Sequence, residues 1–155
     1  MTAPFTFRRP EADLTGMHNA VIEAAEGKLS TNGNLQISAR LRLENRASVF
    51  INITFTEAAA GIVTNFFDAV WGSTERLEDQ SFDPQSNADL AFVKELAADL
   101  VNETLSVKIA MVPDYRGEFD EDGQVRPMQP KVKGYYPYGT AKNVASMVDN
   151  DDSLL

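Results

Sequence analysis

The sequence predicts a mainly β protein with a helical insertion, and three patterns carry that prediction. "LQISARLRL" (35–43) alternates apolar and polar residues without a break, the period of a strand with one buried face. After the short "ENRAS" turn, "VFINITF" (49–55) repeats the alternation. The period then lengthens to that of a helix over 56–72 and again over 86–102, before returning to strand at 103–112.

Residues 1–15 contain Pro4 and Pro10 and show no period, so they read as an N-terminal arm. "GMHNAVIEAAEG", from Gly16 to Gly27, reads as a first strand, although its alanines and glutamates have weak β-propensity. "STNGN" (30–34) supplies a hairpin, because Asn-Gly tolerates the positive φ angles of tight turns. In the second strand Leu35, Ile37, Ala39, Leu41 and Leu43 share the buried face, opposite Gln36, Ser38, Arg40 and Arg42. The third strand turns Val49, Ile51, Ile53 and Phe55 inward, and Phe50, Asn52 and Thr54 outward.

In the first helix, Ile62, Val63, Phe66, Phe67 and Val70 form an apolar stripe, with Thr56 as N-cap, Gly72 as stop and Trp71 as a packing anchor. The second is capped by Ser86 or Asn87 and buries Leu90, Val93, Leu96, Ala97 and Leu100. "ETLSVKIAMV" sets Leu105, Val107, Ile109 and Met111 against Ser106, Lys108 and Ala110. A polar loop with Gly117 and Gly123 leads to a last strand around 129–138, which Pro137 ends because it has no amide hydrogen. Three strands, a helical insertion and two more strands match a five-stranded OB-fold-like Greek-key barrel. The expected organisation is one domain over 16–140 and a flexible acidic C-terminal tail over 141–155.

The chain has 155 residues, a net charge of -9, one histidine and no cysteine. Disulfide scaffolds, thiolate chemistry and zinc–cysteine sites are thereby excluded. His18 reads as a strand residue with a local hydrogen bond. No nucleotide-binding glycine loop, zinc-protease or serine-hydrolase motif occurs, and "FDEDGQ" (119–124) lacks the ligand spacing of a calcium loop. A non-enzyme without metal or cofactor is expected. Neither a leader-length apolar run at the start nor the ~18 apolar residues of a membrane span occurs. A soluble cytoplasmic protein with no membrane partner is therefore expected.

Charge is segregated along the chain. Acids gather at 75–83, 114–122 and the C-terminus, whereas cations favour the strands. Lys28, Arg40, Arg42, Arg46, Lys108, Lys131 and Lys133 form the candidate phosphate track. Phe50 lies on the same outward face as the arginines and is a candidate platform for a base. In "KVKGYYPY" (131–138), strict alternation places Lys131, Lys133 and Tyr135 outward and turns Tyr136 into the core. Tyr135 is then the second stacking candidate.

"NETLSVKI" (102–109) and "PKVKGYYPY" (130–138), with the strand–helix order around them, resemble small bacteriophage single-stranded DNA-binding proteins. Pro130 and Lys131 depart from that group's usual residues. The resemblance implies an OB-like, sequence-tolerant single-strand binder serving DNA replication or recombination, in the host cytoplasm if viral. Asp149, Asp151, Asp152, Leu154 and Leu155 are similar to partner-docking tails, without their terminal aromatic. Such a tail suits replication or recombination proteins, or competition with nucleic acid for the basic groove; a homo-oligomer is compatible with all of this. The alternatives are a non-catalytic protein–protein interaction module and a minor structural phage component.

Overall fold

The computed structural model describes residues 13–141. In chain order it has β1 (Gly16–Leu29), β2 (Leu35–Leu43), β3 (Ser48–Thr54), α1 (Ala60–Trp71), a 3-10 turn (Glu75–Leu77), α2 (Asn87–Leu100), β4 (Thr104–Val112) and β5 (Gln129–Tyr136). Asp149, Asp151, Asp152, Leu154 and Leu155 of the expected tail, and the arm before Asp13, lie outside the described residues. Leu14, expected within the arm, is buried in the core instead.

The five strands form one sheet in the order β3-β2-β1-β4-β5, with every neighbouring pair antiparallel. The sheet curls into a nearly closed barrel, OB-like in strand order and in carrying its helices between the third and fourth strands. β1 is the hub. Its first half pairs with β4, and its second half with β2. Glu23 is an extra residue between the Ile22–Leu41 and Ala24–Arg40 pairs, a β-bulge that bends the strand between its two partners. This slip also explains why β1 shows no clean alternation: Ala20 and Ile22 point inward before it, Ala25 and Gly27 after it.

The inward faces of β2, β3 and β4 are those the period of two predicts, and Leu35, Ile37, Leu41, Ile53, Leu105 and Val107 are fully buried. Two helices complete the core. α2, capped by the Ser86 hydroxyl accepting the Asp89 amide at 3.2 Å, packs Val93, Leu96, Ala97 and Leu100 against β1 and β2. α1 drives Phe66 and Phe67 beneath β5, β3 and β4. It begins at Ala60 rather than at Thr56, because Thr56 closes a separate turn by accepting the Ala59 amide on its hydroxyl at 3.3 Å. Trp71 packs on Phe67 and carries the Arg76 guanidinium over its ring, as an anchor should. Arg76 also reaches Asp99 at 2.9 Å, tying the connecting segment to α2.

The β4–β5 loop is ordered by its own polar groups. Phe119 and Val125 form an isolated antiparallel bridge, and the Arg126 guanidinium donates to the carbonyls of Arg116 and Phe119, both at 2.8 Å. At its base, Arg116 donates from Nε and Nη2 to the two oxygens of Asp114, at 3.0 and 2.9 Å. No helix among the described residues is long and apolar enough to cross a membrane.

Gly27 fixes how closely α2 approaches the sheet. A Cβ at this position would lie 2.7 Å from the Lys94 backbone nitrogen and Cα, a separation only a backbone shift relieves. Gly27→Ala is therefore expected to destabilise the fold by about 1–3 kcal/mol, the usual range for overpacking. Urea denaturation checks this; an unchanged midpoint would show that α2 rides more loosely than described.

Candidate nucleic-acid interface

Arg40 and Arg42 project from the outer face of β2, as the alternation requires, opposite Phe50 and Ser48 on β3. Phe50 is 76% exposed, a large aromatic standing on a sheet face with cations beside it. The bulge brings in a residue that sequence reasoning missed. Glu23 reaches Arg40 Nε at 3.0 Å and Arg42 Nη1 at 3.1 Å with its two carboxylate oxygens. One anion thus holds two guanidinium groups in parallel and leaves them one net positive charge. Half-exposed ion pairs of this kind add little to stability, so Glu23 positions the arginines more than it secures the fold.

Beside them lies a polar cluster. Gln36 Nε2 donates to Ser38 Oγ and Asn52 Oδ1, both at 3.0 Å, and Ser38 Oγ donates to Asn52 Oδ1 at 2.7 Å. Lys28, opposite Gln36 at the end of β1, borders this cluster and the 30–34 hairpin. Arg46 sits at the other end of the face, in the β2–β3 turn, with φ at 70°. Left-handed backbone is unusual for a side chain other than glycine or asparagine.

Where β3 and β5 approach each other, above α1, the surface opens into a cleft of about 370 Å³. Phe50, Asn52, Asn65, Lys131, Lys133 and Tyr135 line it together with aliphatic side chains, and no acidic residue is among the lining. The four ion pairs of the described residues all use arginines, so both lysines stand free among those residues. Lys108 projects outward from β4 opposite Gly134, next to Lys133 but on the far side of β5 from the cleft. The structure therefore gathers Arg40, Arg42, Phe50, Lys131 and Lys133 around one edge of the barrel. Lys28, Arg46 and Lys108 lie at its margins.

Tyr135 requires a correction. It does not stand on the outer face: its ring packs edge-on against Phe66, 5.2 Å between centroids, and it belongs to the partly buried shell of the core. Tyr136, expected in the core, is the exposed one. The cause is a second bulge. Lys108 pairs with Gly134 and Ile109 with Val132, so Lys133 is an extra residue and the alternation slips between Val132 and Tyr135. Both of those side chains consequently face the core. Burial pushes the Tyr135 phenol up to about 12. What Tyr135 contributes to the cleft is a floor.

Other groups hold the surroundings rigid. The Asn19 side-chain oxygen accepts from Ser106 Oγ at 2.6 Å and from the Gly139 amide at 3.1 Å, pinning the chain as it leaves β5. His18 Nε2 lies 2.7 Å from the Leu14 carbonyl, the local hydrogen bond expected of it. In the β4–β5 loop, the hydrogen bonds from the Arg116 side chain and then its amide hold the buried Asp114 carboxyl down to about 2.

The strand order and this edge define a class: an OB-like barrel whose outer surface joins cations, an exposed aromatic and an acid-free cleft. No protein-family model matches the chain, and no curated protein matches it.

Two outcomes follow from this geometry. Tyr135→Ala is expected to destabilise the protein by about 3 kcal/mol, since it empties a site packed against Phe66 of α1, whereas Tyr136→Ala leaves stability nearly unchanged. Thermal denaturation of the pair distinguishes the faces, and the reverse order would restore the alternating register. Asp114 has a folded pKa of about 2 against an ordinary 3.8, so its contribution is complete above about pH 4 and is lost as pH falls through 2. Asp114→Asn is expected to flatten that acid limb in urea midpoints measured across the range; an unaltered limb would assign the acid sensitivity elsewhere.

Proposed function

We propose that this protein is a non-catalytic, sequence-tolerant single-stranded DNA-binding protein that protects replication or recombination intermediates. One observation carries the reading: Phe50 stands exposed between Arg40 and an acid-free cleft containing Lys131 and Lys133, in a chain of net charge -9. Bases stack on the ring while the cations follow the phosphates. The OB-like barrel supports this reading, because its β2–β3 face is a common oligonucleotide surface. The site of action is the cytoplasm, the host's if the chain is viral.

Glu23 tunes the surface. A phosphate approaching Arg40 and Arg42 competes with a carboxylate that already occupies both.

A second reading has an observation of its own. Tyr115, at 95% exposure, and the exposed Phe119, Val125 and Met128 give the β4–β5 loop an apolar outer surface suited to a protein partner. Under that reading the barrel is an interaction module and the cleft has no polyanion to hold.

Fluorescence anisotropy with oligo-dT and a duplex of equal length separates the two. Single strands are expected to bind below micromolar protein at low salt, and the duplex far more weakly. Phe50→Ala is expected to weaken binding by about 1–3 kcal/mol, the value of one stacked base. Replacing both Lys131 and Lys133 by alanine is expected to lower the slope of log K against log salt by about 1.4, or ~0.7 per phosphate contact. Glu23→Gln is expected to tighten binding. Absence of micromolar binding at low salt, or affinity indifferent to salt, would overturn the reading.

A further inference from the structure

The β3–β5 cleft has more specific chemistry than a phosphate track or a stacking platform needs. A sequence-tolerant surface is satisfied by rings and cations, since every base has a π-face and every nucleotide a phosphate. This cleft also contains two carboxamides, Asn52 from β3 and Asn65 from α1, set among apolar walls that include Phe50, Ile62 and Val132. Its volume of about 370 Å³ falls within the range of small-ligand pockets, roughly 300–1,000 Å³.

The amide of Asn52 is oriented before any ligand arrives. Its Oδ1 accepts from both Gln36 and Ser38, so its Nδ2 amino group is the free donor of a side chain that lines both this cleft and the neighbouring polar hollow by Lys28. Asn65 is exposed on α1, and its amide offers a donor beside an acceptor on the other wall. A donor–acceptor pair of that kind complements the N6 and N7 edge of adenine. Guanine shows two acceptors on that edge, and pyrimidines have no N7. Adenine's remaining ring nitrogens can accept from Asn52.

We propose that the cleft is a base-reading subsite in which one nucleotide of the bound strand turns inward and adenine is preferred. This rests on the single-strand-binding reading above. Phe50 and Ile62 flank the base, Asn65 pairs with its N6–N7 edge, Asn52 donates to a ring nitrogen, and Lys131 and Lys133 hold the adjoining phosphates. Along the rest of the β2–β3 face, recognition stays sequence-tolerant. The protein is thus a general single-strand binder with one selective position.

The test uses the full chain and dT oligomers of about sixteen nucleotides, the upper site size of one OB domain, with or without one central adenine. A central cytosine serves as a second comparison. Adenine is expected to tighten binding by about tenfold, within the range for a bidentate amide–adenine contact. Asn65→Ala is expected to remove that preference, and Asn65→Asp, which sets an acid beside the two lysines, is expected to remove it and to weaken every oligomer as well. Both replace an exposed helical side chain, and circular dichroism confirms that the fold persists. Phe50→Ala should weaken all oligomers.

Equal affinity for the three oligomers in the unaltered protein would overturn the subsite and leave the general reading standing. A preference that survives both Asn65 variants would also overturn it. Failure to bind any of the oligomers would remove the single-strand reading itself.

Discussion

The architecture depends on how five strands are closed around one core. Four neighbouring pairs are laddered, but no ladder joins β3 to β5 among the described residues. A seam of this kind leaves backbone groups and apolar side chains without a strand partner, and something must cover them. α1 covers them from within. Its Phe66 and Phe67 are fully buried, and Phe66 meets Tyr135 edge-on directly beneath the seam. The cleft is the outer side of that arrangement. Its floor is rigid because it is core, while its rim, Phe50 and the two lysines, is free to meet a ligand.

Two bulges turn this closure into a site. The one at Glu23 bends β1 between its partners and swings a carboxylate over the β2 arginines. The one at Lys133 rolls Tyr135 inward and leaves that lysine unpaired in the ladder, beside the cleft. Bulges commonly re-aim side chains, and here the first re-aims an acid and the second an aromatic ring. The acid at the first and the free cation at the second give the edge a graded potential. Over β2 the arginines are half-neutralised, and in the cleft the lysines are not. At physiological ionic strength, charges more than ~8 Å apart are largely screened, so these local differences matter more to an approaching polyanion than the chain's overall acidity.

Most of the fold could be read from the sequence, because β2, β3 and β4 keep a strict period of two and face a single core. The N-terminal strand was harder for a physical reason: its bulge splices two registers, so no single alternation runs from Ala20 to Gly27. Of the candidate site, Arg40, Arg42 and Phe50 follow directly from alternation. Lys131 and Lys133 also lie at the surface, but the face of Tyr135 did not follow, because one extra residue inverts every later side chain in a strand. A small signal was present. Gly134 sits where Tyr136 curls back, its would-be Cβ only 3.0 Å from that ring, and glycine within a strand often marks a bulge. Glu23 and Asn65 were invisible for another reason. Their roles come from long-range pairing and from the placement of α1, which no local pattern encodes.

The same geometry bears on the choice between single and double strands. A duplex keeps its bases stacked inside and presents stiff phosphate rails to a protein, whereas an unpaired strand is flexible and exposes its bases. On the proposed reading, the favourable groups lie within and just beside a cleft, and acids are abundant over the rest of the chain. On that reading, a rigid duplex laid on this edge would reach few of the cations. A single strand can bend into the cleft, place a base against Phe50 and hold its remaining phosphates along β2. On that reading, it is the confinement of the free cations to the cleft, and not the overall acidity, that adds discrimination against polyanions unable to enter it.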